Sequence, residues 1–178
     1  MKKIFLIILY SLSLFTVNAE NISLKIKLGL NKGYEILIVD SKVEKLNFVK
    51  PSYIEEISGL EKLKCLRSIT FDHTAFIKDF SFLANATTLE EIVISGVKIE
   101  NIDFIYSLPN IRSLTLDSCS LSNLQIDMKK NPCLTILDLS YNKILGIPEI
   151  LNADCIKSPL IIKNNPNIYR ISCELNQY

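Results

Sequence analysis

The chain has 178 residues, one domain's worth, with 20 Lys and Arg against 19 Asp and Glu and a formal net charge of +1. That balance lacks the basic stripe of a nucleic-acid binder, and a 48% hydrophobic share without low-complexity tracts excludes intrinsic disorder. One His and no Trp leave little material for imidazole catalysis or a His-rich metal centre.

Met1–Ala19 reads as a secretory signal peptide. Lys2 and Lys3 form the basic head, Ile4–Phe15 the apolar stretch, and Val17-Asn-Ala19 a small-residue cleavage site. The apolar run ends at Val17 and is shorter than the ~17–25 residues that span a bilayer. Cleavage is therefore expected, leaving a chain from Glu20 onward with no membrane span. The expected location is secreted, periplasmic or cell-surface, and the Lys-, Ile- and Asn-rich style is bacterial. Residues 20–42 read as an N-terminal cap. Ile22-Ser-Leu24-Lys-Ile26-Lys-Leu28 alternates as a half-buried strand does. Asn31-Lys-Gly33 signals a turn into a second strand, Tyr34–Val39.

From residue 43 a pattern recurs. Leu134-Thr-Ile-Leu137-Asp-Leu139-Ser-Tyr-Asn142-Lys-Ile144 fits L-x-x-L-x-L-x-x-N-x-L throughout. Ile111–Leu121 fits with Cys119 in the Asn position. Leu89–Ile99 and Leu66–Phe76 keep the apolar positions, with Val97 and Thr74 in the Asn position. Val43-Glu-Lys-Leu46-Asn-Phe48 opens one more unit. A degraded sixth unit near 157 keeps Leu160, Ile162 and Asn165. The second halves of the units, as in Ile54–Leu63 and Ile99–Leu108, place apolar residues at spacing three, which suits a short 3₁₀ or single-turn helical segment with one buried edge.

These units resemble the leucine-rich repeat family, in particular its internalin-like class of secreted bacterial proteins. The resemblance covers about residues 43–168 and implies an α/β solenoid. It implies a horseshoe with a parallel concave sheet, short 3₁₀, helical or irregular convex segments, an N-terminal β cap, and a C-terminal cap or tail at 169–178. In such a coil the Asn points inward and satisfies turn backbone. Asn142 and Asn165 can do so fully and Thr74 and Cys119 in part. Val97 cannot, so a looser or water-filled turn is expected there.

No catalytic, cofactor or metal site is expected. His73 lacks a visible orienting partner, and Cys119 lies two units away. Asp72, Asp117 and Asp138 should stand roughly 8–10 Å apart, too far for a compact cation cage. Five glycines form no phosphate loop, and five cysteines contain no C-x-x-C. Cys133–Cys155 or Cys155–Cys173 are alternative disulfides, Cys119 is the expected free thiol, and five buried free cysteines are the competing reading. Asn21-Ile-Ser23 and Asn85-Ala-Thr87 match a glycosylation acceptor.

The expected partner-binding residues are the outward strand positions and the position following each strand. They are Thr70, Asp72, His73, Val93, Thr115, Asp117, Ile136, Asp138, Tyr141 and Ile161. Ile136, Tyr141 and Ile161 make an apolar cluster of the kind that anchors interfaces. The expected function is noncatalytic recognition of a protein of unknown identity by a monomer. The alternative is an adhesin or structural protein that binds host or matrix components or self-associates. A hydrolase built on Asp72 and His73 is the least favoured reading.

Overall fold

A computed structural model describes residues 21–30, 32–49, 53–74, 76–122, 124–145, 149–151, 160–161 and 163–165. The signal-peptide reading, the tail at 169–178, the start of the sixth unit, Cys155 and Cys173 lie outside them. In chain order the strands are β1 (Asn21–Leu28), β2 (Gly33–Asp40), β3 (Lys45–Val49), β4 (Ile54–Ser58), β5 (Ser68–Asp72) and β6 (Glu91–Ser95). They continue with β7 (Ser113–Asp117), β8 (Gln125–Asp127), β9 (Ile136–Asp138), β10 (Glu149–Leu151) and β11 (Leu160–Ile161).

Three sheets result. β3, β5, β6, β7, β9 and β11 form a parallel six-stranded sheet, β2, β1 and β4 an antiparallel one, and β8 and β10 a parallel pair. The expected α/β horseshoe is therefore corrected. The described residues carry β-strands and 3₁₀ turns, with no α-helix. The physical reason lies in the return segments. Their 3₁₀ turns, such as Leu60–Lys62, Ser81–Asn85 and Asp103–Ser107, run only three to five residues. At about 2 Å rise per residue, so short a turn already covers the distance available.

A second departure is β4. Ile54, Ile57, Leu60 and Leu63 are all buried at spacing three, yet the first two lie on a strand. The register against β1 shifts between Lys27 and Leu28, so that Lys27 faces Glu56 and Leu28 faces Ile54. Glu55 is the extra residue of a bulge, and the bulge lets a strand bury residues three apart. Lys27 Nζ donates to Glu55 Oε1 at 2.8 Å across this point, and that carboxylate raises the lysine's pKa.

The parallel sheet pairs equivalent positions of successive units. Leu46, Ile69, Ile92, Leu114 and Leu137 form one inward row, and Phe48, Phe71, Ile94 and Leu116 the next. All are buried. Phe48 stacks on Phe71 at 5.2 Å between ring centroids, Phe71 meets Phe80 edge-on at 5.3 Å, and Phe80 lies 6.3 Å from Phe104. Each such ring contributes roughly 1.5–3 kcal/mol by burial. One unit alone has nothing to bury them against.

Where a strand ends, the chain turns inward, and its polar backbone needs partners. Asn142 supplies them. Its Oδ1 accepts from the N–H groups of Cys119 and Leu121 at 2.9 and 3.1 Å. Its Nδ2 donates to the carbonyls of Leu116, Leu139 and Ser140 at 2.7–3.0 Å. Asn165 Oδ1 accepts from Ile144 N–H, and its Nδ2 donates to Leu139 O. Cys119 does a thinner version of the same job. Its thiol is 3.3 Å from Ile94 O and 3.2 Å from Asp117 O. Val97 itself is buried at 2% exposure and brings no polar side chain to the turn. Thr74 is buried with its Oγ1 bonded to no protein group.

Two outcomes follow in chemical denaturation. Asn142→Leu strands several buried backbone groups at once and should lower unfolding free energy by about 3–5 kcal/mol. Thr74→Val removes a buried hydroxyl that has no protein partner at nearly constant shape and should raise it by about 1 kcal/mol.

Candidate functional site

The outward positions of the parallel sheet align in three rows. Lys45, Ser68, Glu91, Ser113 and Ile136 form the first. Asn47, Thr70, Val93, Thr115, Asp138 and Ile161 form the second. Val49, Asp72, Ser95 and Asp117 form the third. Parallel strands lie about 4.8 Å apart, so neighbours in a row are in reach of one ligand segment. The sheet thus brings together the strand residues singled out from the sequence: Thr70, Asp72, Val93, Thr115, Asp117, Ile136, Asp138 and Ile161. His73 follows β5 directly, and Tyr141 lies in the turn three residues past β9.

That turn position has a conformation the sequence reading missed. His73, Gly96, Ser118, Tyr141 and Asn164 are all left-handed, with φ between 54° and 66°. Four of the five are not glycine, and each such residue is strained by about 1–2 kcal/mol. The ladder extends to them, since the N–H groups of His73, Gly96, Ser118 and Tyr141 donate to Ser95, Asp117, Ser140 and Lys163 carbonyls. The turn therefore fixes where these side chains stand. Gly96 has a further reason to be glycine, because a Cβ there would come within 2.8 Å of the His73 ring.

The polar groups of the face are largely engaged with one another. His73 Nδ1 lies 2.5 Å from Asp72 Oδ1, an orienting partner that the sequence reading did not see. Ser68 Oγ donates to Glu91 Oε2 at 2.7 Å, and Ser95 Oγ to Asp117 Oδ2 at 3.0 Å. Asp138 Oδ1 accepts from Ser140 N–H at 2.9 Å. The three aspartates thus answer to different neighbours, and no group of three metal-binding side chains occurs among the described residues. Asp72 can hold the imidazole for hydrogen bonding to a ligand. Among the described residues no hydroxyl or thiol is hydrogen-bonded to its other nitrogen.

Exposed apolar side chains stand at both ends of the face, Val49 on β3 at 58% and others on and after β9. Tyr141 is 59% exposed and Ile136 44%. Leu145, which the sequence reading left out, is 60% exposed and follows the same turn. On the opposite side a groove of about 1180 Å³ lies between β4 and the Ser81–Asn85 turn, rimmed by Glu55, Glu56, Glu61 and Asp79 against Lys78. Lys27 already occupies Glu55.

Cys65, Cys119 and Cys133 are free thiols. The Cys155 half of either proposed disulfide lies outside the described residues. Asn21 and Asn85, the two acceptor asparagines, are exposed. No helix among the described residues is long and apolar enough to cross a membrane. Compared with protein-family models and with curated proteins, the chain finds no match.

Burial pushes the Cys119 thiol up to about 12; the Val97 N–H opposes this and the Asp117 charge adds to it. The folded thiol keeps its proton well above the unfolded value of 9.0, so its contribution to stability is intact below pH 9 and lost as pH climbs toward 12. At pH 8 an alkylating reagent should modify half-buried Cys65 and Cys133 first. Cys119 should react only after denaturant is added, as peptide mass spectrometry would record.

Proposed function

We propose that the chain is an exported recognition protein of the leucine-rich repeat kind, binding a protein partner through the outward face of its parallel sheet. The observation that carries this reading is the alignment of the outward rows, with exposed Ile136 and Tyr141 at one end. Small hydroxyls (Thr70, Ser95, Ser113, Thr115) occupy the middle of the face and leave room for a partner's side chains. An aromatic beside aliphatics is the usual anchor of such an interface, with polar groups setting register around it. The export half of the proposal rests on residues 1–19 and on a cleavage site at Ala19. The repeat half rests on the spacing of the leucine positions and on the inward Asn142 and Asn165. Carboxylates at Asp72, Glu91, Asp117 and Asp138 would favour cationic groups on the partner.

The test is a paired capture from cell-envelope and host extracts. The bait is the chain in the form in which the producing cell releases it, its N-terminus read by mass spectrometry. Beside it runs the Ile136→Glu/Tyr141→Ala variant, shown folded by its melting curve. A partner retained by the first bait and reduced at least about tenfold on the second supports the proposal. Equal retention would move the site off this face, and an N-terminus at Met1 would remove the export reading.

A further inference from the structure

Among the described residues the antiparallel sheet has an open side. β2 is its outer strand, and every second residue of such a strand leaves its N–H and C=O directed away from the sheet. Natural edges are usually protected by charged side chains, prolines or bulges within the strand. β2 has no proline and no bulge, and its charges are Glu35 and the terminal Asp40. Its sequence is Gly-Tyr-Glu-Ile-Leu-Ile-Val-Asp, its pairing with β1 runs unbroken from Gly33 to Asp40, and Tyr34 and Ile36 are 59% and 60% exposed. Lys25 Nζ lies 3.9 Å from the Tyr34 ring centre and steadies it on the outward face.

We propose that β2 is the pairing edge for a second copy of this chain, joined antiparallel about a two-fold axis at Ile36. A two-fold axis normal to the sheet keeps like faces together, so only registers that set one residue opposite its own copy are allowed. Centred on Ile36, the pairing sets Tyr34 opposite position 38 and Glu35 opposite Leu37. At the ends it sets Lys32, just before the strand, of each copy opposite Asp40, the last residue of β2, of the other. Both end residues are exposed. Lys32 rests on the Tyr53 ring, and Asp40 Oδ1 accepts from Lys42 N–H. The neighbouring registers are worse. Centred on Glu35, two glutamates face each other; centred on Leu37, Lys32 meets Lys42 and Asp40 meets Tyr34. Like charges directly opposed destabilise a strand pair, while opposite charges and apolar pairs stabilise it. The occupant is therefore a self-complementary strand, and the register is chosen by charge. This inference departs from the monomer expected from the sequence. It does not depend on the proposed binding face, which belongs to the other sheet.

Sedimentation equilibrium of the exported chain over about 1–500 µM tests it, since an interface this small associates weakly. The expected result is a mass rising toward twice the monomer's. Ile36→Lys should abolish the rise. Asp40→Lys should weaken association by about tenfold, and Lys32→Asp/Asp40→Lys should restore it. The double variant keeps the test decisive if a single one folds poorly. A monomer at every concentration would overturn the proposal, as would a dimer indifferent to Ile36→Lys. A dimer lost with Asp40→Lys but not restored by the double variant would overturn the register.

Discussion

Asn142 Oδ1 between the N–H groups of Cys119 and Leu121, with Nδ2 on three carbonyls, is the contact around which the parallel sheet is arranged. A strand that turns inward carries unpaired peptide groups into the core, and such groups are costly without partners. A side-chain amide answers both kinds at once. It also reaches the unit before it, so that satisfying one turn locks two units in register. The inward rows of Leu, Ile and Phe can then meet, and the outward rows inherit the same alignment.

Strain is the counterpart of that arrangement. His73, Ser118, Tyr141 and Asn164 adopt left-handed backbone although none is glycine. The surrounding hydrogen bonds overdetermine them, as they must for such conformations to persist. The result is a line of side chains along one margin of the face, held by the turns themselves. Two of the residues named for partner binding, His73 and Tyr141, stand on that line. Rigid placement lowers the ordering cost of binding, which is why a strained margin suits a recognition surface.

Legibility from sequence varied with how local the cause was. The strands were readable because Leu, Ile and Phe recur at 22–23 residues, and that spacing is the one at which β5, β6, β7 and β9 pair. β1 and β2 were readable from alternation around Asn31-Lys-Gly33. β4 was not, because the bulge opposite Lys27 lets Ile54 and Ile57 imitate the spacing of a 3₁₀ turn. The helical share of the class was not borne out, because apolar spacing of three fits a 3₁₀ turn and a single α-turn alike, and the returns form only 3₁₀ turns of three to five residues. Within the face, the rows followed from register, whereas the Asp72–His73 contact did not. Adjacent residues on a strand point to opposite sides, and only the left-handed turn at His73 brings the two side chains together.

Amide hydrogen exchange under native conditions addresses the role of the inward side chains most directly. If Asn142 and Asn165 hold the turns, the N–H groups of Cys119, Leu121 and Ile144 should exchange as slowly as those of β7, at the rate of global unfolding. Exchange of these three at the rate of exposed loops, with β7 still protected, would contradict the account.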